Sequence, residues 1–165
     1  SLIDKTQLSN DQTFLMTNIA PQRPWINRDV FTNKGVWGAI EDSVSCWIKL
    51  KEHNKLYVID GALVGNDSRT IGNGVTVPQG FFKIILDMET LESIAFIIED
   101  QESSKDDAGN LSLYVNTINA IEEKSGMNFL SRISIPIQEL IETTIAETAK
   151  WNFYDRHPDV GCIER

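Results

Sequence analysis

Histidine and cysteine are both scarce: the 165 residues hold two of each, at His53, His157, Cys46 and Cys162. That poverty excludes a Cys/His zinc cluster and a multi-bridge disulfide framework. A single cysteine pair leaves one bridge or two free buried thiols, and two free thiols are the expectation from sequence. No apolar run approaches the ~20 residues that span a bilayer. The first residues, Ser1-Leu2-Ile3-Asp4, carry no secretory or transit pattern, and a chain opening on Ser is expected to be trimmed, processed or partial. An excess of positive charge is missing too. The net charge is −9, which argues against a surface built broadly for phosphate. The acidity is uneven, however. Residues 1–55 hold seven Lys/Arg against six Asp/Glu, whereas residues 56–165 hold eight against eighteen. The first third of the chain is therefore the part permissive for anions.

What is present is enough for a core. Apolar residues make up 41%, with seven Phe, four Trp and three Tyr, and the length fits one domain. Thr13–Ile19 is β-rich and stopped by Pro21, which predicts a strand. Residues 20–32, with Pro21, Pro24, Trp25 and two Arg, predict an ordered loop over the core. From Asn33 the pattern turns helical: Val36, Ile40, Val44, Trp47 and Ile48 recur at helical spacing, with Asn33 at or near the N-cap. Leu56–Ile59 predicts a strand closed by Asp60-Gly61, and Gly72-Asn73-Gly74 a turn. Phe81–Leu86 and Ser93–Ile98 predict a hairpin joined through residues 87–92. Residues 99–110 read as a solvated loop. Thr117–Ser125 predicts a helix ended by Gly126, and residues 135–151 an amphipathic helix with Pro136 in its first turn. Strands and helices without βαβ alternation give an α+β class.

One stretch carries more than fold. Thr17-Asn18-Ile19-Ala20-Pro21-Gln22 is followed by Asn33-x-x-x-Trp37-x-x-x-Glu41. Next come Leu56–Gly61, then Ile71-Gly72 with Val75-Thr76-Val77-Pro78-x-x-Phe81-Phe82-Lys83, then Ile118-x-x-Ile121-Glu122-x-x-x-Gly126-x-x-Phe129. Together these resemble, in order, the DNA/RNA non-specific endonucleases, a family that includes mitochondrial endonuclease G and secreted bacterial nucleases. The likeness covers about residues 8–132. It implies a ββα-metal (His-Me finger) nuclease core, a mainly antiparallel sheet flanked by helices. Residues 133–165, which the resemblance does not reach, are expected to add a C-terminal helical extension on the same domain.

The resemblance implies an Mg²⁺-dependent endonuclease acting on DNA and RNA, with Mn²⁺ as an alternative ion and homodimerisation as a family habit. Mitochondrial or exported localisation is the corresponding expectation. A single Asn side chain with waters and phosphate oxygens suits Mg²⁺, which gives up water reluctantly. Asn33 is the candidate ligand because Trp37 and Glu41 follow at the family's +4 and +8. Asn27 is the rival, nine residues after Asn18, whereas Asn33 requires six inserted residues. Glu41 is implied to order a metal-bound water, and Asn18 to support the base or substrate. The plain alternatives are a helix cap for Asn33, a solvated helix residue for Glu41, a strand end for Asn18 and core packing for Trp37. Arg23, Arg28 and Lys34 are the substrate-binding candidates.

The family's general base is the His of an Asp-Arg-Gly-His motif, and neither His53 nor His157 has that motif around it. Nor is there an Arg four residues after Glu41, where Ser45 stands. Two expectations compete. The catalytic His is supplied by a segment upstream of, or separate from, this chain; or the chain is a non-catalytic relative with a structural or nucleic-acid-binding role in a larger assembly.

Overall fold

A computed structural model describes residues 19–28, 34–50, 52–87, 89–100 and 110–165. The predicted strand at Thr13–Ile19 therefore lies, apart from Ile19, outside the described residues, as do Asn18 and Asn33. A short helix α1 (Pro24–Asn27) interrupts the loop read from sequence and leads to the long helix α2 (Val36–Lys49). The sheet follows: β1 (Leu56–Leu63), a small ribbon of β2 (Thr70–Ile71) and β3 (Val75–Thr76), then β4 (Gly80–Asp87), β5 (Ser93–Glu99) and β6 (Val115–Asn116). Helices α3 (Ile118–Ser125) and α4 (Ile135–Thr143) precede a terminal hairpin, β7 (Tyr154–His157) and β8 (Gly161–Glu164).

The main sheet is antiparallel in the order β1-β4-β5-β6. Its centre, β4, is buried along its whole length, and alternation sorts its side chains between two layers. Phe82, Ile84 and Leu86 face a core shared with Ile118, Ile121 and Ile141 of α3 and α4. Phe81 and Ile85 face the core built on α2, with Ile40, Val44, Trp47 and Trp151. Helices thus cover both faces of an antiparallel sheet, and the class is α+β.

Several expectations are corrected. The α2 N-cap is Gly35, not Asn33. Glycine is required there: a Cβ would stand 2.3 Å from the Ile26 carbonyl oxygen and 2.4 Å from that of Trp25. The strand read as ending before Asp60-Gly61 runs on to Leu63, because Asp60 and Gly61 pair with Lys83 and Phe82 across the ladder. Asp100, placed by sequence in a solvated loop, has a side chain only 3% exposed, paired with Arg23 at 2.9 Å and Arg69 at 3.5 Å; residues 101–109 lie outside the described part.

The tail departs most. Helix α4 stops at Thr143, and the chain returns as the β7–β8 hairpin. Cys46 and Cys162 are bridged across a sequence separation of 116, so the two free thiols expected from sequence are wrong. The hairpin meets one stripe of α2 at helical spacing. Arg156 N–H donates to Asp42 at 3.1 Å, Tyr154 N–H to Ser43 Oγ at 3.0 Å, and Trp47 Nε1 to the Asn152 carbonyl at 2.7 Å.

Below this clamp sits a buried contact between a histidine and an aspartate. His53 Nδ1 lies 2.5 Å from Asp87 Oδ2, and the imidazole stacks on Trp151 at 4.2 Å between centroids. Burial pushes the Asp87 carboxyl up, but hydrogen bonds from His53 and from the Glu89 and Thr90 N–H groups outweigh it and hold it below the ordinary range. A lowered carboxylate contributes stability that is complete above its unfolded value of about 4 and is lost as pH falls through the folded one. The stability difference between the native protein and Asp87→Asn is therefore expected to be largest at neutral pH and to shrink below about pH 4. Urea midpoints at pH 7 and pH 3 check this, and an equal difference at both would contradict it.

Candidate active site

At one end of the sheet a cleft of about 390 Å³ is lined by Ile19, Ala20, Gln22, Trp37, Asp60 and Gly61, among others. These residues come from three separate sequence motifs. Ile19, Ala20 and Gln22 belong to the Asn18–Gln22 stretch, Trp37 to the Asn33–Glu41 motif, and Asp60-Gly61 to the end of the Leu56–Gly61 run. Segments scattered over 40 residues of sequence are thus brought to one wall.

Trp37 organises that wall. It packs in a T-shaped arrangement with Phe81, ring centroids 6.0 Å apart, and its Nε1 donates to Glu41 Oε1 at 3.1 Å. The +4 spacing puts the two side chains one above the other on α2, leaving the Glu41 carboxylate exposed but aimed. Lys83 lies over the indole face, with Nζ 4.1 Å from the ring centroid. It also stands 3.5 Å from Asp60 Oδ1, its partner across the β1–β4 ladder. Neither Lys83 nor Asp60 stood out in the sequence. Lys83 was visible only as the last letter of Phe81-Phe82-Lys83, and its depth depends on β4 being central.

Asn27 is exposed at the end of α1, and its carbonyl accepts from Gly35 N–H at 3.2 Å. The chain therefore closes on itself between residues 27 and 35, and the rival asparagine sits beside the N-terminus of α2. Among the cation candidates, Arg28 is exposed. Arg23 is engaged by Asp100. Lys34 is engaged by Asp42 and donates to the Arg156 carbonyl at 3.0 Å, tying α2 to the terminal hairpin. Ser45 follows one turn after Glu41 and brings no charge to this face.

The donors in this region are hard oxygens, a carboxylate and an amide. Such a set suits Mg²⁺ or Mn²⁺ and does not suit the thiolate-imidazole preference of zinc. Among the described residues no group of three or more His, Cys, Asp or Glu side chains converges, so an ion here would be held by few protein atoms and completed by water.

The family model described as DNA/RNA non-specific endonuclease matches residues 2–134. The chain belongs to that family. A relative named "Nuclease" from Nostoc sp. (strain PCC 7120) is 31% identical over 153 residues, covering 86% of this chain and 51% of the relative. The chain thus spans about half the length of that curated relative. Among solved structures, a chain of the EndoG/EndoGI complex superposes with a TM-score of 0.61 at 25% identity, covering 79% of this chain and 55% of that one. The fold is that of the non-specific endonucleases, as the motifs implied. Most of the tail that clamps α2, residues 135–165, lies beyond the family match. No described helix is long and apolar enough to cross a membrane.

Proposed function

We propose that this chain is the metal-binding part of an endonuclease that hydrolyses phosphodiester bonds of DNA and RNA, with the general-base His supplied by a segment outside this sequence. The convergence of three motif segments on one cleft, whose Trp37 is hydrogen-bonded to Glu41, carries this reading. Mg²⁺, or Mn²⁺ in its place, would neutralise charge at the scissile phosphate and lower the cost of a metal-bound hydroxide. Asn33 is the ligand proposed, with Asn27 as rival. Asn27 is tied to the start of α2 through its carbonyl, where the helix dipole favours an anion.

In this scheme Glu41 accepts hydrogen bonds from water and fixes its orientation, and Asn18 supports the base or the substrate. Arg28 is displayed for phosphate, while Arg23 and Lys34 would contact it only by sharing their charge with Asp100 and Asp42. That shared charge, together with Ser45, favours a second reading, a nuclease-like subunit that holds nucleic acid without cutting it.

Digestion of supercoiled plasmid and of RNA by the intact gene product decides between the two. Cleavage that requires Mg²⁺ and stops with a chelator is expected. The 165-residue chain alone is expected to leave both substrates uncut. Binding without cleavage by the intact product would establish the second reading.

A further inference from the structure

The α2-facing side of β4 reads Phe81, Lys83, Ile85, Asp87, and the lysine is the difficult member. Its side chain is 5% exposed on the central strand of the sheet. Burying an ammonium is costly unless it is paired, and a well-packed apolar residue of similar volume commonly serves stability as well or better. Lys83 is paired, but with an unusual pair of partners: a half-exposed carboxylate, Asp60, and the face of Trp37. The opposite end of that indole donates to Glu41.

We infer that Lys83 is a positioning residue for Glu41, acting through the Trp37 ring. The inference rests on the reading that Glu41 orders a water in the active site. A cation over the ring face is attracted by the π-electrons and draws density from the indole, which makes its N–H a better donor to the carboxylate. Phe81 packed in a T-shape against the ring and Lys83 on its face also restrict the rotation of Trp37. Glu41, exposed on α2, then keeps one oxygen against Trp37 and leaves the other for water. Asp60 holds the ammonium in register from the neighbouring strand.

Residues that orient a metal-site group from behind commonly change activity or metal affinity 10- to 100-fold when replaced. Lys83→Met in the intact gene product is expected to lower kcat by about that factor, with KM for nucleic acid little changed. Lys83→Arg, which keeps a cation over the ring, is expected to recover most of the loss. A readout apart from catalysis is the Trp37 indole N–H signal in a ¹⁵N–¹H spectrum, assigned among the four tryptophans with Trp37→Phe. It should move in Lys83→Met and in Glu41→Gln.

In the double variant Lys83→Met/Glu41→Gln, the kcat should equal that of Glu41→Gln alone, because a positioning residue has nothing left to position. Additive losses would overturn the inference, and so would a Trp37 signal that ignores Lys83. Full activity in Glu41→Gln would remove the underlying reading and the inference with it, while a shifted Trp37 signal in Lys83→Met would show the contact itself to be real. If Lys83→Met does not fold, Trp37→Phe, which keeps an aromatic face and removes the N–H, enters the same cycle and should also add nothing to Glu41→Gln.

Discussion

Glu41→Gln in the intact gene product is expected to lower kcat roughly 10²- to 10³-fold while KM for nucleic acid changes little. The substitution is nearly isosteric, and the Gln Oε1 still accepts from Trp37 Nε1, so the wall of the cleft keeps its shape. What is lost is a full negative charge facing the reacting water. An effect confined to the transition state lowers kcat and kcat/KM together. Because Glu41 is exposed, the stability cost should stay within about 0.5 kcal/mol, which separates loss of chemistry from loss of fold. Steady-state kinetics on a short duplex, with thermal melting as the control, makes the measurement. A variant as active as the native protein would return Glu41 to the status of a solvated helix residue.

The second large effect concerns the bridge. A disulfide closing a loop of more than a hundred residues removes unfolded-state entropy worth on the order of 4 kcal/mol. Replacing both Cys46 and Cys162 by Ser is therefore expected to lower Tm by roughly 10 °C for a chain of this size. The double replacement avoids leaving a stray thiol. Added reductant should lower the native protein's urea midpoint towards that of the variant and leave the variant's own midpoint unchanged. Equal midpoints for the two proteins under oxidising conditions would mean that the bridge contributes nothing. Since the bridged hairpin is also fastened through Asp42 and Ser43, activity is expected to fall less steeply than stability.

The fold was legible where the local signal was strong. The apolar, aromatic and β-branched runs of Phe81–Leu86 and Ser93–Ile98 predicted the central hairpin, and Thr117 with Gly126 bracketed a helix whose cap and left-handed terminus the structure shows, Gly126 having φ 71°. The family followed from five ordered motifs, each weak alone. Less legible were features decided by distant partners. Cys46 and Cys162 gave no spacing signal across 116 residues. Tyr154–His157 carries Asp, Arg and His in place of β-formers, so its hairpin was hidden, although Pro158, Asp159 and Gly161 supplied a turn signal. The burial of Lys83 depends on which strand lies at the centre, which its own segment does not tell. The start of α2 was misread because an Asn is a better cap than a Gly by propensity, whereas here the close approach of α1 left room for no side chain. Asn18 and Asn33, two of the residues most important to the proposal, lie outside the described residues, so their part in it rests on the resemblance.

The Cys46–Cys162 bond also makes most of the molecule a closed covalent ring. A protease that cuts any single peptide bond between those two positions produces no separate fragments, since both pieces remain joined through sulfur. Such a nicked molecule would migrate as an intact chain without reductant and as two pieces with it. A protein nicked once in this way keeps the terminal hairpin tethered to the helix that carries Glu41, so within the ring a protease has to cut twice, or a reductant has to act first, before any piece can leave.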